Sequence, residues 1–215
     1  MIRAIFWLST FAIAFAFVES SVVVYLRAIY YPDGFEFPLR LIGDGHLVVE
    51  LVRECATIVI LVAAGVLAGK TAWERFGFFL LGFGVWDIFY YVWLKVFLDW
   101  PATLADWDVL FLIPVPWIGP VVAPVLISLL MVVCGILIVI RVSSGQLFEP
   151  GPPSWILSIC ATVIILYSFM GDLAATLRGA MPQPYDYWLL VVGLALYGGA
   201  FGLACHRPAT SERHD

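Results

Sequence analysis

Apolar residues fill six long stretches of the chain, and polar or turn-forming residues separate them. Each stretch holds about 19 to 28 residues, enough to cross about 30 Å of hydrocarbon as a helix. The pattern predicts an all-α, polytopic transmembrane helix bundle with about six transmembrane helices. The predicted segments are Ile2–Ile29, His46–Ala68, Arg75–Leu98, Ile118–Ile140, Trp155–Thr176 and Tyr187–Cys205.

The composition supports a membrane location. Hydrophobic residues make up 63% of the chain and charged residues 13%, whereas soluble domains carry about 25% charged residues. A soluble fold of 215 residues could not bury so much apolar surface. The lipid bilayer is therefore the expected partner. Nucleic-acid binding is not expected, because the chain has no long basic run.

The distribution of Lys and Arg between the loops predicts the orientation. Residues 1–206 are predicted to form one integral membrane helical domain, and residues 207–215 a short polar cytoplasmic tail. With both termini cytoplasmic, two loop cations, Arg40 and Arg178, lie outside. Six lie inside, namely Arg3, Lys70, Arg75, Arg141, Arg207 and Arg213.

The connection between the third and fourth stretches, residues 99–117, is long and rich in Trp and Pro. It has no Lys or Arg, which favours the outer side. It is too hydrophobic for an ordinary solvated loop, so it either forms a structured cap or lies in the aromatic belt. Asp106 and Asp108 are interpreted as solvated loop carboxylates.

Ionisable residues within the stretches fall between the middle of the membrane and its predicted outer edge. In the second stretch, His46, Glu50, Arg53 and Glu54 share one helical face. Asp87 and Tyr91 form a second polar stripe four residues apart, and Asp172 shares a face with Ser168 and Thr176. The full set is Glu19, Arg27, His46, Glu50, Arg53, Glu54, Asp87, Lys95 and Asp172.

A charged residue at the centre of a transmembrane helix costs about 2.5 to 3.5 kcal/mol. The side chains must therefore be paired, hydrated, protonated or bound to a ligand. Five carboxylates face three cations in this set, which leaves two negative charges unmatched. Asp87 is the foremost candidate, because its nearest basic residue, Lys95, lies two turns away.

The pattern predicts an outward-facing intramembrane polar pocket. An ion-pair network that fixes helix register is the alternative for Glu50, Arg53 and Glu54. His46 and Glu50 could also ligate one divalent cation, although their spacing matches no established metal motif. Haem and nucleotide are not expected, and no catalytic residue can be assigned. The candidate ligand-binding residues are Asp87, Glu50, Glu54, Arg53, Glu19, Asp172 and Tyr91.

Three functions remain open. The first is binding or transport of a cation, a proton or a small polar solute. The second is an accessory or structural subunit of a larger membrane complex, with a membrane-protein partner or as a homo-oligomer. The third is a membrane-embedded enzyme that depends on a metal or on carboxylates.

Three short stretches, residues 50–54, 86–91 and 111–117, resemble segments of uncharacterised bacterial inner-membrane proteins. The resemblance implies a bacterial inner-membrane location and no particular activity.

Overall fold

The computed structural model describes residues 1–32, 34–35, 44–171, 173, 178 and 183–206. Within these residues, six helices are long and apolar enough to span a membrane, which confirms the predicted fold class. A small two-stranded sheet accompanies them. The helices are α1 Ile2–Tyr30, α2 Asp44–Ala68, α3 Ala72–Leu98, α4 Val122–Ser143, α5 Pro152–Met170 and α6 Tyr187–Cys205, and the strands are β1 Trp107–Phe111 and β2 Trp117–Pro120.

Local signals set several helix ends. Thr71 and Glu74 form a capping box at the start of α3, which satisfies free backbone N–H groups. The predicted start of the fourth helix at Ile118 was wrong, because Ile118 lies in β2 and pairs with Val109. The predicted tail, residues 207–215, and the last residues of the fifth segment, residues 174–176, lie outside the described residues.

The helices expose large apolar side chains around the outside of the bundle. Leu67 is 87% exposed, Ile2 77% and Trp188 70%. Such a surface would be unfavourable in water, whereas lipid chains solvate it well. These faces account for the high apolar content of the chain.

Helix α3 lies at the centre of the first half of the bundle and packs against α1, α2 and α4. The approach to α4 is close, because a Cβ at Gly84 would lie 2.5 Å from the Ser128 carbonyl oxygen. The absence of a side chain at Gly84 therefore permits this close packing. At Gly198 on α6, by contrast, a Cβ would meet nothing within 4 Å. Helices α5 and α6 pack chiefly against each other.

The long connection before α4 forms a structured cap. Strands β1 and β2 pair in antiparallel orientation. Trp107, Leu110 and Trp117 of this hairpin pack on a core that contains Phe169 and Tyr185. The hairpin thereby joins the α1–α4 helices to the α5–α6 pair. Its packing supports the cap interpretation over an ordinary belt loop.

The two ends of the described chain lie at the same end of the bundle. Ser143, at the end of α4, lies 2.8 Å from the Met1 sulfur. Arg141, two residues earlier, donates a hydrogen bond of 3.0 Å to the Cys205 carbonyl oxygen at the end of α6. Met1 and Cys205 therefore lie on one side of the bundle, as an even number of spans requires.

Candidate functional site

A cavity of about 270 Å³ lies at the end of the bundle opposite Met1 and Cys205. The later half of α1, the early half of α2, the later half of α3 and the hairpin form its walls. We call it the acidic cavity, because among the described residues its lining has five carboxylates and only two basic groups. These ionisable residues are Glu19, Glu50, Glu54, Asp87, Asp108, Arg27 and Arg53.

Arg53 binds two of the five carboxylates. Its guanidinium forms an ion pair with Glu50 at 2.7 Å, one turn earlier on α2. It forms a second ion pair with Glu19 of α1, and Glu19 also accepts a hydrogen bond of 3.1 Å from Thr57. Both carboxylates are buried. This cluster holds α1 against α2. Glu19 and Glu50 therefore have a structural role in helix packing.

Glu54 joins α2 to the hairpin. Its carboxylate accepts hydrogen bonds of 2.9 and 3.1 Å from the backbone N–H of Leu112, just after β1. Glu54 is 7% exposed. Within the described part of the chain it forms no ion pair, since the neighbouring Arg53 is bound to Glu19 and Glu50. Its negative charge is therefore satisfied by one N–H dipole and not by a cation.

Asp87 joins α3 to α4. Its Oδ2 accepts a hydrogen bond of 2.8 Å from the Ser128 hydroxyl. Among the residues that the structure describes, no basic group forms an ion pair with Asp87. The side chain is half-buried and lines the acidic cavity. Asp87 and Glu54 are thus the carboxylates of the cavity that the described cations leave unpaired.

Arg27 is held by a carboxylate and two aromatic rings. It forms an ion pair of 3.2 Å with Asp108 of β1. Its guanidinium carbon lies 3.7 Å from the Trp100 ring centroid and 4.2 Å from that of Phe35. These are cation–π distances, which are most favourable where the cation is desolvated. The contacts fix the hairpin against the end of α1.

Asp108 was expected to be a solvated loop carboxylate, and that expectation was wrong. It is 3% exposed and lines the acidic cavity. The reason is that β1 turns Asp108 inward beneath the hairpin, where Arg27 binds it. Burial raises the pKa of the Asp108 carboxyl to about 6, although Arg27, the Val109 N–H and the Tyr91 hydroxyl act to lower it.

Aromatic rings form much of the remaining wall. Trp86, Tyr90 and Tyr91 of α3 line the cavity next to Asp87. Trp86 and Tyr90 are stacked at 6.3 Å between centroids, and Tyr90 and Tyr91 meet edge to face at 5.0 Å. Trp86 is 6% exposed, and its indole N–H has no hydrogen-bond partner among the described residues.

The structure brings together most of the predicted ligand-binding residues. Six of them line the acidic cavity: Glu19, Glu50, Arg53, Glu54, Asp87 and Tyr91. Lys95 does not join them, because it is 48% exposed and pairs with Asp99 at 2.7 Å. Asp172 lies outside the described residues.

His46 and Glu50, the predicted metal pair, contact different partners in the structure. His46 is exposed, and its Nδ1 contacts the Tyr30 hydroxyl. Glu50 is buried and bound to Arg53. No group of three or more His, Cys, Asp or Glu side chains suited to a metal ion is found within the described ranges.

The predicted ligand-binding residues did not include Arg27 or Asp108, although Arg27 belonged to the predicted set of ionisable residues. A signal for Asp108 was present, because the run Trp107–Phe111 is rich in aromatic and apolar residues, as buried strands are. Arg27 near the end of a predicted apolar helix also required a buried partner.

No protein-family model, curated protein or solved structure matches this chain. The class of the protein therefore follows from its fold: it is a polytopic helical protein of the lipid bilayer.

Proposed function

We propose that this protein binds a cation or a small, positively charged solute in the acidic cavity and serves as a membrane binding or transport protein. One observation carries the proposal: Glu54 and Asp87 line a cavity without an ion-pair partner among the described residues. Unpaired carboxylates at membrane depth are costly. A positively charged ligand would compensate them.

The distribution of charge supports the same conclusion. The lining has three more carboxylates than guanidinium groups in the part of the chain that the structure describes. Arg53 and Arg27 neutralise part of this excess through their ion pairs. A cavity with surplus negative charge and low-dielectric walls attracts cations.

The direct experiment measures cation binding to the purified protein in detergent. Melting temperature is followed against the concentration of Na⁺, Ca²⁺ or tetramethylammonium for the wild type, Asp87→Asn and Glu54→Gln. A ligand that binds only the folded state stabilises it by about 2.7 kcal/mol at a hundred times its Kd. We expect at least one probe to raise the wild-type melting temperature and both variants to weaken its binding tenfold or more.

The matched controls are Asp99→Asn and Glu149→Gln, which make the same chemical changes at exposed sites. Asp99 has φ 50°, a conformation that Asn also tolerates. Both controls should change binding less than twofold. The proposal is wrong if no cation stabilises the wild type, or if the cavity variants respond as the controls do.

Transport is tested in proteoliposomes with the cation that binds. Uptake that Asp87→Asn abolishes and Asp99→Asn preserves would make the protein a transporter. Binding without uptake would make it a binding subunit. In that case we expect a membrane-protein partner to co-purify with it in mild detergent.

We also propose that both termini are cytoplasmic and that the membrane is a bacterial inner membrane. The six-to-two excess of Lys and Arg on the side of the termini supports the orientation. The acidic cavity would then face outward, because it lies at the opposite end of the bundle from Met1 and Cys205. A reporter that is active only in the cytoplasm, fused to the C-terminus, should be active. An inactive reporter beside an active periplasmic one would reverse the orientation.

A further inference from the structure

The acidic cavity is poorly suited to a bare metal ion. Its volume of about 270 Å³ corresponds to about nine water molecules at about 30 Å³ each. A metal ion needs several ligand atoms within about 2.0 to 2.6 Å. The described side chains include no such group of His, Cys, Asp and Glu. The two unpaired carboxylates are also held by different elements, since Glu54 binds the hairpin and Asp87 binds α4.

The wall next to Asp87 favours an organic cation. Trp86, Tyr90 and Tyr91 present aromatic rings there, and ring faces attract ammonium groups, most strongly where water is excluded. The protein already uses this interaction at the edge of the cavity, where Arg27 lies over Trp100 and Phe35. A hydrated metal ion would gain little from such a wall.

Two buried donors in the lining indicate a further property of the ligand. The Trp86 indole N–H and the Arg27 Nη1 have no hydrogen-bond partner in the described structure. Trp86 is 6% exposed and Arg27 is 8% exposed. A buried donor without a partner is unfavourable, because it has lost its hydrogen bonds to water. A ligand with a hydrogen-bond acceptor would remove that cost.

We propose that the cavity binds an organic ammonium ion that has an apolar body and at least one hydrogen-bond acceptor. The ammonium group lies at Asp87, the apolar body lies on the neighbouring rings of α3, and the acceptor faces Trp86 and Arg27. This inference rests on the proposed function and narrows it from cations in general to amphipathic amines. The cavity volume of about 270 Å³ lies just below the usual range of small-molecule sites, which begins at about 300 Å³. The ligand must therefore be compact.

A matched probe series tests the inference by calorimetry on the purified protein. The probes are 2-phenylethylammonium, its neutral analogue 2-phenylethanol, its hydroxylated analogue 2-amino-1-phenylethanol, and Na⁺ and Ca²⁺. We expect the two amines to bind at least tenfold more tightly than the neutral analogue and the metal ions. The hydroxylated amine should bind more tightly than the simple amine.

Variants of the wall assign the binding to this cavity. Tyr90→Leu should weaken binding of 2-phenylethylammonium about 2- to 30-fold, because it removes a ring, whereas Tyr90→Phe should retain binding. Trp86→Phe keeps a ring and removes the N–H, so it should reduce the advantage of the hydroxylated amine, with Arg27 left as the remaining donor. Tyr25→Leu changes an exposed tyrosine of α1, 69% exposed, and serves as the control.

The outcomes separate the two proposals. If Na⁺ or Ca²⁺ binds in an Asp87-dependent manner and neither amine does, the amine inference is wrong and the cation-binding function stands. If 2-phenylethanol binds as well as the amines, the ammonium assignment is wrong. If no cation of any kind binds, both proposals are wrong. Folding of each variant is confirmed by its elution as a single species in detergent.

Discussion

Two of the cavities in the described part of the bundle have similar sizes and opposite chemistry. The acidic cavity holds about 270 Å³, and a second one, between α3, α4, α5 and α6, holds about 320 Å³. The second is lined by residues such as Met131, Phe148, Trp155 and Phe201. Among its described lining residues none is charged, and its polar groups are hydroxyls, two indole N–H groups and one thiol. We call it the apolar cavity.

The contrast shows that this chain can line a cavity between its helices without charged side chains. Around the apolar cavity, α4, α5 and α6 pack through aliphatic and aromatic contacts. The ionisable groups of the acidic cavity therefore are not a general requirement of the fold. Some of them, such as Arg53 with Glu19 and Glu50, stabilise packing. Asp87 and Glu54 form no ion pair among the described residues. We therefore assign ligand binding to these two carboxylates.

The largest expected effect comes from Arg53→Met. Removal of one partner from a buried ion pair costs about 3 to 5 kcal/mol, because the remaining charges stay buried and unpaired. Here the substitution leaves Glu19 and Glu50 without their cation. The free energy of unfolding in mixed micelles measures the effect.

The exposed pair Lys95–Asp99 provides the control for Arg53. Lys95→Met should cost no more than about 1 kcal/mol, as is usual for surface ion pairs. Adding Glu50→Gln to Arg53→Met should restore part of the stability. Equal losses for the two single variants would mean that the cluster around Arg53 is no more important than a surface pair.

A carboxylate placed in the apolar cavity should have the next largest effect. Met131 lies near the middle of α4 and lines that cavity. Met131→Glu should lower the free energy of unfolding by about 2.5 to 3.5 kcal/mol, the cost of an acidic residue at the centre of a transmembrane helix.

Met131→Leu is the matched control and should cost less than about 1.5 kcal/mol, because it conserves volume and polarity. A Glu variant as stable as the Leu variant would show that the two cavities tolerate charge equally. The acids of the acidic cavity would then need no special explanation.

The contribution of Asp108 to the stability of the folded protein should depend on pH, because its carboxyl is buried at the acidic cavity. In the folded protein the pKa of this carboxyl is about 6, against an ordinary value of 3.8. The folded state thus binds the proton more tightly than the unfolded state, and this contribution to stability is full below about pH 4 and lost as the pH rises through about 6. The stability of the wild type relative to Asp108→Asn should therefore increase on acidification, by up to about 1.4 kcal/mol per pH unit between pH 6 and 4.

Asp99→Asn should give a small trend of opposite sign. A hydrogen bond and the charge of Lys95 lower the pKa of the exposed Asp99 carboxyl, so its contribution is lost on acidification. Melting curves from pH 4 to 8 for both variants and the wild type provide the measurement. A wild-type advantage over Asp108→Asn that shrinks on acidification would show that Arg27 outweighs burial.

The sequence predicted the membrane fold closely, because apolar stretches bounded by turn residues leave few alternatives in a bilayer. The helical period also placed Glu50, Arg53 and Glu54 on one face, and all of them line the cavity. The same argument placed His46 on this face, but His46 is not among the residues that line the cavity. Position on a face does not specify depth, and His46 is exposed near the start of α2.

The contributions of the loop could not be predicted from helical periodicity. Asp108 enters the cavity because β1 pairs with β2, and β2 packs against α5, which is a tertiary event. Lys95 forms an ion pair with Asp99, just beyond the end of α3. The spacing of four residues permits this pair, but the count of charges in the helices left Asp99 out. Both the predicted set and the cavity lining contain more carboxylates than basic groups, although the two sets do not contain the same residues.

The stability of Asp87→Asn without added ligand tests the central claim most directly. Asn keeps an acceptor for the Ser128 hydroxyl and removes only the charge. If Asp87 is retained for a ligand, the uncharged variant should unfold at the same temperature as the wild type or above it, and should have lost cation binding. A melting temperature several degrees below that of the wild type, with cation binding intact, would show that Asp87 serves packing alone and would contradict the account.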